Sequence, residues 1–370
     1  LEVDFCGLTF ATPLVLLSGC VGFGEEYTRV QGFTNRDAGA VCLKGTTGSQ
    51  RLGNAPHRIY ETPEGMLNAI GLQNPGVETV VDSILPTLDF EETRFIANVS
   101  GSTVEEYIEV TRRFDDSPID AIEINISCPN VKEGGAAFGN DPDMSARVVA
   151  ACRRVTRKPL ITKLSPNQTD IAENARRCIE AGSDAFAVIN TLMGMSIDIE
   201  SRMPHIGNNQ GGLSGPAIKP IALLKVHQVH QVCKEHNIPI IGQGGIATAR
   251  DALEFLIAGA SAVGIGTALG QLLVAEEVDV VITQVVTLQV GVGPNDDGAI
   301  GAPLKPRLLG QVEAVVGTTL GFAVTGTRRV ERVGLGRGQA NAADPGWRRR
   351  RTLQVVERAL HRCRDLGVVP

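Results

Sequence analysis

The sequence has no excess of positive charge: 35 Lys and Arg stand against 41 Asp and Glu, a formal net charge of −6 over 370 residues. General nucleic-acid binding needs a basic footprint, so that class is set aside. Long hydrophobic runs are also missing. The most apolar stretch, Ser261 to Ala275, is Gly-rich and short of the roughly twenty residues that span a bilayer. Glu2 and Asp4 stand where a secretory leader would carry basic residues, so no signal peptide is expected. The 8 Cys are scattered with no CxxC pair, which argues against a disulfide scaffold and for a reducing cytoplasm. Aromatics are scarce at 4%, yet 43% apolar and 21% charged residues are enough for a sizeable core and exclude a wholly disordered chain. The expectation is a soluble cytoplasmic protein that binds neither nucleic acid nor membrane.

What is present is an alternation. Short β-branched apolar runs recur at Leu14 to Leu17, Ala40 to Leu43, Phe95 to Val99, Ala121 to Ile126, Leu160 to Leu164, Ala185 to Ile189, Ile238 to Ile241 and Ala262 to Ile265. Continuous apolar character is the mark of parallel strands covered on both faces. Helix-patterned segments follow, such as Val104 to Phe114, Asp143 to Val155, Thr169 to Ala181 and Thr248 to Ala258, several opened by a Ser, Thr or Asp cap. Eight such units in about 270 residues predict an α/β fold, a (β/α)8 TIM barrel, over an open doubly wound sheet. The barrel domain is expected over residues 1–270. Residues 271–370 are expected to form a C-terminal extension that either includes the last barrel helix or is disordered.

In such barrels chemistry sits at the carboxyl ends of the strands. Those ends are polar here: Ser18-Gly19, Lys44-Gly45-Thr46, Asn98, Asn125 followed by Cys128, Lys163, Asn190-Thr191, Gly242 to Gly245, and Gly264 to Thr267. Lysines and asparagines converging on one mouth are costly to desolvate without a ligand. The glycines after strands seven and eight, GQGGI and GIGT, either make tight turns or hold a phosphate, and their occurrence together at those two strands favours the phosphate. No P-loop and no GxGxxG fingerprint after a first strand accompanies them. His227 and His230, three apart on an expected helix, lack nearby co-ligands and are read as surface or packing residues, so no metal site is expected.

The motifs NAIGLQN at Asn68 to Asn74, NISCPNVKEGGAAFG at Asn125 to Gly139, KLSPN at Lys163 to Asn167, INT at Ile189 to Thr191 and GGLSGPAIKP at Gly211 to Pro220 are specific. With SGC at Ser18 to Cys20 and GNAPHR at Gly53 to Arg58, they make the chain similar to the dihydroorotate dehydrogenases from about Leu1 to Gly270. The NISCPNVKEGG form resembles the class 1B catalytic subunits. Class 1A relatives typically carry Pro-Gly-Lys-Pro-Gln after Cys-Pro-Asn, and class 2 relatives have Ser in place of Cys128.

The resemblance implies oxidation of dihydroorotate to orotate in pyrimidine biosynthesis, with FMN in this chain. NAD is the implied final acceptor, reached through a partner subunit carrying FAD and a 2Fe-2S cluster. It further implies a homodimer of catalytic subunits within a heterotetramer. Cys128 would be the base that takes the carbon-5 proton, and Lys44 and Lys163 would flank the flavin ring. Lys44, Asn68, Asn125, Asn190 and Thr191, with the segment Ala69, Ile70, Gly71 and Leu72, would bind substrate. Ser18, Lys44, Gly45, Asn98, Asn125, Lys163, Ile189 and Gly215 would contact FMN, and Gly244, Gly245, Gly266 and Thr267 would hold its phosphate. Other readings stay open: a fumarate-dependent class 1A-like enzyme, another FMN-dependent pyrimidine oxidoreductase, or a catalytically silent barrel that serves in assembly. The similarity departs near Gly270, where composition shifts. Arg328 to Arg364 is Arg-rich and free of Lys, and a tail of this kind binds an acidic partner surface or nucleic acid, has little order, or is read out of its natural frame.

Overall fold

The computed structural model describes residues 2–26, 28, 34–126 and 139–269. Cys128, Gly134, Gly135 and the expected extension 271–370 lie outside the described residues. Eight strands close into a barrel in which every neighbouring pair is parallel. They are β1 (Leu14–Leu16), β2 (Ala40–Cys42), β3 (Arg94–Val99), β4 (Ala121–Asn125), β5 (Leu160–Leu164), β6 (Ala185–Val188), β7 (Ile240–Gln243) and β8 (Ala262–Ile265). The expected (β/α)8 architecture is therefore present.

The helices begin where the caps predict. Thr103 accepts from the Glu106 N–H to open α1 (Val104–Asp115), and Asp141 accepts from the Asp143 and Met144 N–H groups to open α2 (Pro142–Arg153). Asp170 does the same for α3 (Ile171–Glu180), while α4 (Lys219–Cys233) follows a 3-10 turn without a side-chain cap. Thr248 and Asp251 form a reciprocal capping box on α5 (Ala249–Ile257).

Three departures from the sequence pattern matter. Among the described residues between β1 and β2 no α-helix is present, and the 3-10 turn Asn35–Asp37 leads into β2. After β2 the helical stretch Val77–Thr87 passes from α through π to 3-10 geometry, and Pro86, which has no N–H to give, interrupts it. β7 also starts two residues later than expected. Pro239 cannot donate to the ladder, and its carbonyl accepts from Phe186 N–H instead, so the strand runs on to Gln243.

Two further features were not anticipated. An N-terminal hairpin, Val3–Phe5 with Leu8–Phe10, stacks Phe5 on Phe10 at 5.0 Å between ring centres. Both rings are fully buried with the first residues of the strands, including Ala40, Ala121, Ala185 and Ala262, so the hairpin plugs the amino-terminal end of the barrel. At the other end, excursions after β2 and β6 build a four-stranded antiparallel sheet from Ile59–Thr62, Gly65–Asn68, Gly211–Ser214 and Leu192–Gly194.

Candidate functional site at the barrel mouth

Strand geometry alone sorts the barrel interior into layers. Alternate residues face the same way, and the lower inward layer is apolar, with Cys42, Ile96, Ala121, Ile161 and Ile241 in one buried cluster. Two residues further along the same strands come Lys44, Asn98, Glu123, Lys163 and Gln243, and two beyond Glu123 comes Asn125. The interior thus changes from apolar to polar within one strand repeat, at the end where (β/α)8 enzymes bind their ligands.

One cavity lies over this polar layer. It is lined by Ser18, Lys44, Gly45, Asn68, Ile70, Gly71, Leu72, Asn125, Lys163, Ile189, Asn190, Thr191, Gly215, Gly244, Gly245, Gly266 and Thr267. All but two of the expected site residues that fall within the described part are therefore brought together. The exceptions are Ala69 and Asn98. Ala69 is buried, its N–H donates to the Arg58 carbonyl at 2.7 Å, and its own carbonyl accepts from Asn54 Nδ2 at 3.0 Å. Asn98 lies beneath Gly45, with its amide turned to Glu123.

The asparagines are held by one another and by backbone. Asn190 Nδ2 donates to Asn125 Oδ1 at 3.2 Å, and the Asn190 side-chain oxygen accepts from the Thr191 N–H at 2.8 Å. Tyr107 O–H donates to the Asn125 carbonyl at 2.8 Å, anchoring the end of β4 to α1. Asn68 Nδ2 donates to the Gly212 carbonyl at 3.2 Å, which ties the two excursions together over the mouth. Ring-like amide edges and a carboxylate are the partners such a donor and acceptor set suits.

The positive charge is equally constrained. Lys163 Nζ lies 3.4 Å from Glu123 Oε1, both side chains being almost wholly buried. Burial opposes charge on Lys163, but the Glu123 carboxylate outweighs it and holds the ammonium pKa above its ordinary value. Cys20, which also lines the cavity, has its thiol pushed up by burial, with Lys163 and Lys44 pulling the other way. Cys42 is pushed up further, first by burial and then by Glu123. Two lysines away from the mouth are engaged elsewhere: Lys158 Nζ donates to the Ser117 and Ile119 carbonyls, and Lys234, exposed on the surface, donates to Gln231 Oε1 at 2.6 Å. His230 packs its ring against Gly259, as a packing residue would.

At the far end of the cavity the chain is built for close backbone approach. Gly245 has φ +85°, and a Cβ there would meet the first residue of α4, with Lys219 N at 2.9 Å. Only glycine brings the loop after β7 this close to the start of α4; the Ala217, Ile218 and Lys219 N–H groups there already donate to the Glu64, Gly215 and Pro216 carbonyls, so the donors an anion would meet are the N–H groups of the glycine loops themselves. Thr267 Oγ1 donates to Ser214 Oγ at 2.8 Å beside it.

Sequence reasoning missed Glu123, Gln243 and Ser214. The signal for Glu123 was legible, since a carboxylate inside the apolar run Ala121 to Ile126 has no reason to be there unless it is partnered. Gln243 was hidden by the two-residue shift of β7.

Fold and site together define a (β/α)8 barrel of the enzyme type, with a polar-lined ligand cavity at its carboxyl-terminal mouth. The dihydroorotate dehydrogenase family model matches residues 1–285. A Listeria monocytogenes serotype 4b protein, "Dihydroorotate dehydrogenase B (NAD(+)), catalytic subunit", is 51% identical over 268 residues, covering 72% of this chain and 86% of its own. The Geobacillus kaustophilus protein of the same name is 49% identical over 269 residues, covering 72% and 84%. A crystal structure of DHODH from Eimeria tenella in complex with ferulenol superposes with a TM-score of 0.63, covering 78% of this chain and 84% of that one; at 23% identity it speaks for the fold alone. The chain belongs to the dihydroorotate dehydrogenase family, and the expected likeness to class 1B catalytic subunits is borne out by the names of these relatives.

Family membership implies FMN, and the residues present fit it. Gly244 and Gly245, both at positive φ, leave a loop without side chains whose backbone a phosphate can approach closely. Gln243 Oε1 is buried with no hydrogen-bond partner among the described residues, while its Nε2 donates to the Ile189 carbonyl at 2.9 Å. An unpartnered acceptor in a cavity wall suits a ligand with hydroxyl or N–H donors, and FMN carries both.

Proposed function

We propose that this chain is the catalytic subunit of an NAD-linked dihydroorotate dehydrogenase. The observation that carries the reading is the convergence of Lys44, Asn125, Lys163, Asn190 and Thr191 on one cavity, in a chain about half identical to relatives bearing that name.

Oxidising dihydroorotate removes a proton from carbon 5 and a hydride from carbon 6. FMN, when bound, supplies the hydride acceptor. Asn125 and Asn190, already coupled to each other, pair the amide edge of the pyrimidine, and Asn68 and Thr191 complete the polar wall. Lys44 meets the substrate carboxylate from β2. Lys163 would supply fixed positive charge to the flavin, which favours its electron-rich reduced form. Cys128, on the segment after β4, takes the carbon-5 proton; a thiol with ordinary pKa of about 8.5 acts as base through its thiolate, so a polar or cationic setting is required. Ser18, Gly45, Ile189 and Gly215 would hold the flavin and ribityl portions, with Asn98 behind Gly45 rather than in contact, and Gly244, Gly245, Gly266 and Thr267 the phosphate.

Electrons leave through a second subunit carrying FAD and a 2Fe-2S cluster, within a heterotetramer built on a dimer of catalytic subunits. Exposed apolar side chains on the excursion after β6, namely Met195, Ile197, Ile199 and Met203, support an assembled state. The reducing cytoplasm is the compartment that suits the free thiols at Cys6, Cys20, Cys42, Cys152, Cys178 and Cys233.

The test is acceptor use. Alone, the FMN-loaded chain is expected to reduce an artificial dye with dihydroorotate but not NAD; adding the electron-transfer subunit is expected to start NADH formation. Rapid fumarate reduction by the chain alone would replace this reading with the class 1A one.

A further inference from the structure

Glu123 has no part in the chemistry derived above, yet it is the most buried carboxylate among the described residues. It is 1% exposed on β4, and a single oxygen, Oε1, receives three donors from three strands. Asn98 Nδ2 donates to it from β3, Lys163 Nζ from β5 at 3.4 Å, and Cys42 Sγ from β2 at 3.5 Å. Two of these donors bear on the FMN site under the proposed function, Lys163 directly and Asn98 from behind Gly45, and the inference rests on that reading. Glu123 lies one inward position below Asn125, in the layer directly beneath the cavity floor.

Two physical consequences follow. A buried ammonium or carboxylate left alone is strongly unfavourable, so each of Lys163 and Glu123 is retained by the other. The pair is also net neutral: the positive charge that favours an electron-rich flavin is offset by a carboxylate held at hydrogen-bond range behind it.

We propose that Glu123 is a positioning residue that fixes Lys163 and Asn98 under the flavin and, by offsetting the charge of Lys163, holds the reduction potential of bound FMN down. Such a setting suits a site whose electrons must pass onward rather than remain on the cofactor. Glu123→Gln is the informative change. All three donors meet one oxygen, which glutamine keeps; only the negative charge is removed, and the titration is run at mildly acidic pH so that the now unpaired Lys163 keeps its proton.

The experiment is a reductive titration of the FMN-loaded full chain against a reference dye, comparing parent and Glu123→Gln. The expected result is that the equilibrium constant for two-electron reduction rises about tenfold, which is about 30 mV. An unchanged or lowered potential overturns the proposal. A double variant, Lys163→Met with Glu123→Gln, removes both charges and leaves none unpaired, so it remains measurable if the single variant does not fold. Its potential is expected within about twofold of the parent in equilibrium constant, because a neutral pair has been replaced by a neutral pair. A fall of tenfold or more in the double variant would mean that Lys163 acts uncompensated, and also overturns the proposal. If the parent chain itself binds no FMN, the proposed function fails with it; if the parent binds FMN and the variants do not respond as stated, the role of Glu123 alone is wrong.

Discussion

Gly212 lies so close to Thr191 that a methyl group on it would stand 2.0 Å from Thr191 Oγ1. The two residues sit on the two sides of the excursion that roofs the cavity, Leu192–Gly194 pairing with Gly211–Ser214. A side chain at 212 has to displace Thr191, and through the Gly212 carbonyl it also disturbs Asn68.

Gly212→Ala is therefore expected to raise the KM for dihydroorotate by about tenfold or more, since small misplacements of binding groups are costly, while FMN content stays unchanged. Gly194→Ala is the control: its nearest neighbour would be the far end of the Leu67 side chain at 3.0 Å, which can move aside. Steady-state kinetics with flavin quantification separates the two. Equal, small effects in both variants would remove Thr191 from the substrate wall.

Gln243→Leu replaces the unpartnered acceptor with a side chain of similar size. It is expected to weaken FMN binding roughly fivefold to tenfold, the worth of about one hydrogen bond, and to shrink the rise in Tm that FMN confers on the apo protein. Fluorescence titration of FMN reads the effect. Undiminished affinity would mean that the Gln243 acceptor does not face the cofactor.

Asp251 joins the amino-terminal ends of α4 and α5 beside the glycine cradle. It accepts from the Ala247 and Thr248 N–H groups and from Thr248 Oγ1, and pairs with Lys219 Nζ at 2.6 Å. Burial pushes its pKa up, but the Lys219 and Thr248 hydrogen bonds prevail and hold it below its ordinary 3.8. A depressed carboxylate contributes stability above its unfolded pKa and loses it as pH falls through the folded one. Asp251→Asn is expected to cost about 1 kcal/mol at neutral pH, a typical capping loss, with the difference from the parent closing below about pH 4 as the parent's own contribution is lost. Urea unfolding between neutral and acid pH checks this; a difference that widened on acidification would contradict it.

The eight strands and the cavity-lining residues were legible because each strand couples an apolar run to a polar end, as in Ala121 to Asn125 or Leu160 to Leu164. Boundaries failed where backbone chemistry overrode pattern, as at Pro239, whose missing N–H moves β7 by two residues. The N-terminal hairpin was invisible because its partners, such as Ala40 and Ala262, are distant in sequence. Ala69 was expected to face substrate by position in its motif, but hydrogen bonds to Arg58 and Asn54, set by the excursion sheet, occupy its backbone. Glu123 shows the converse: its position advertised a partner, but only closure of the barrel says that the partners are Asn98 and Lys163.

Under the proposed function, this mouth binds FMN and passes it a hydride from dihydroorotate. The direct measurement is anaerobic: load the full chain with FMN, add dihydroorotate, and follow absorbance in the flavin band. Prompt bleaching, with orotate formed in equal amount to flavin reduced, is the predicted result. A bound flavin that stays oxidised with saturating dihydroorotate would contradict the account.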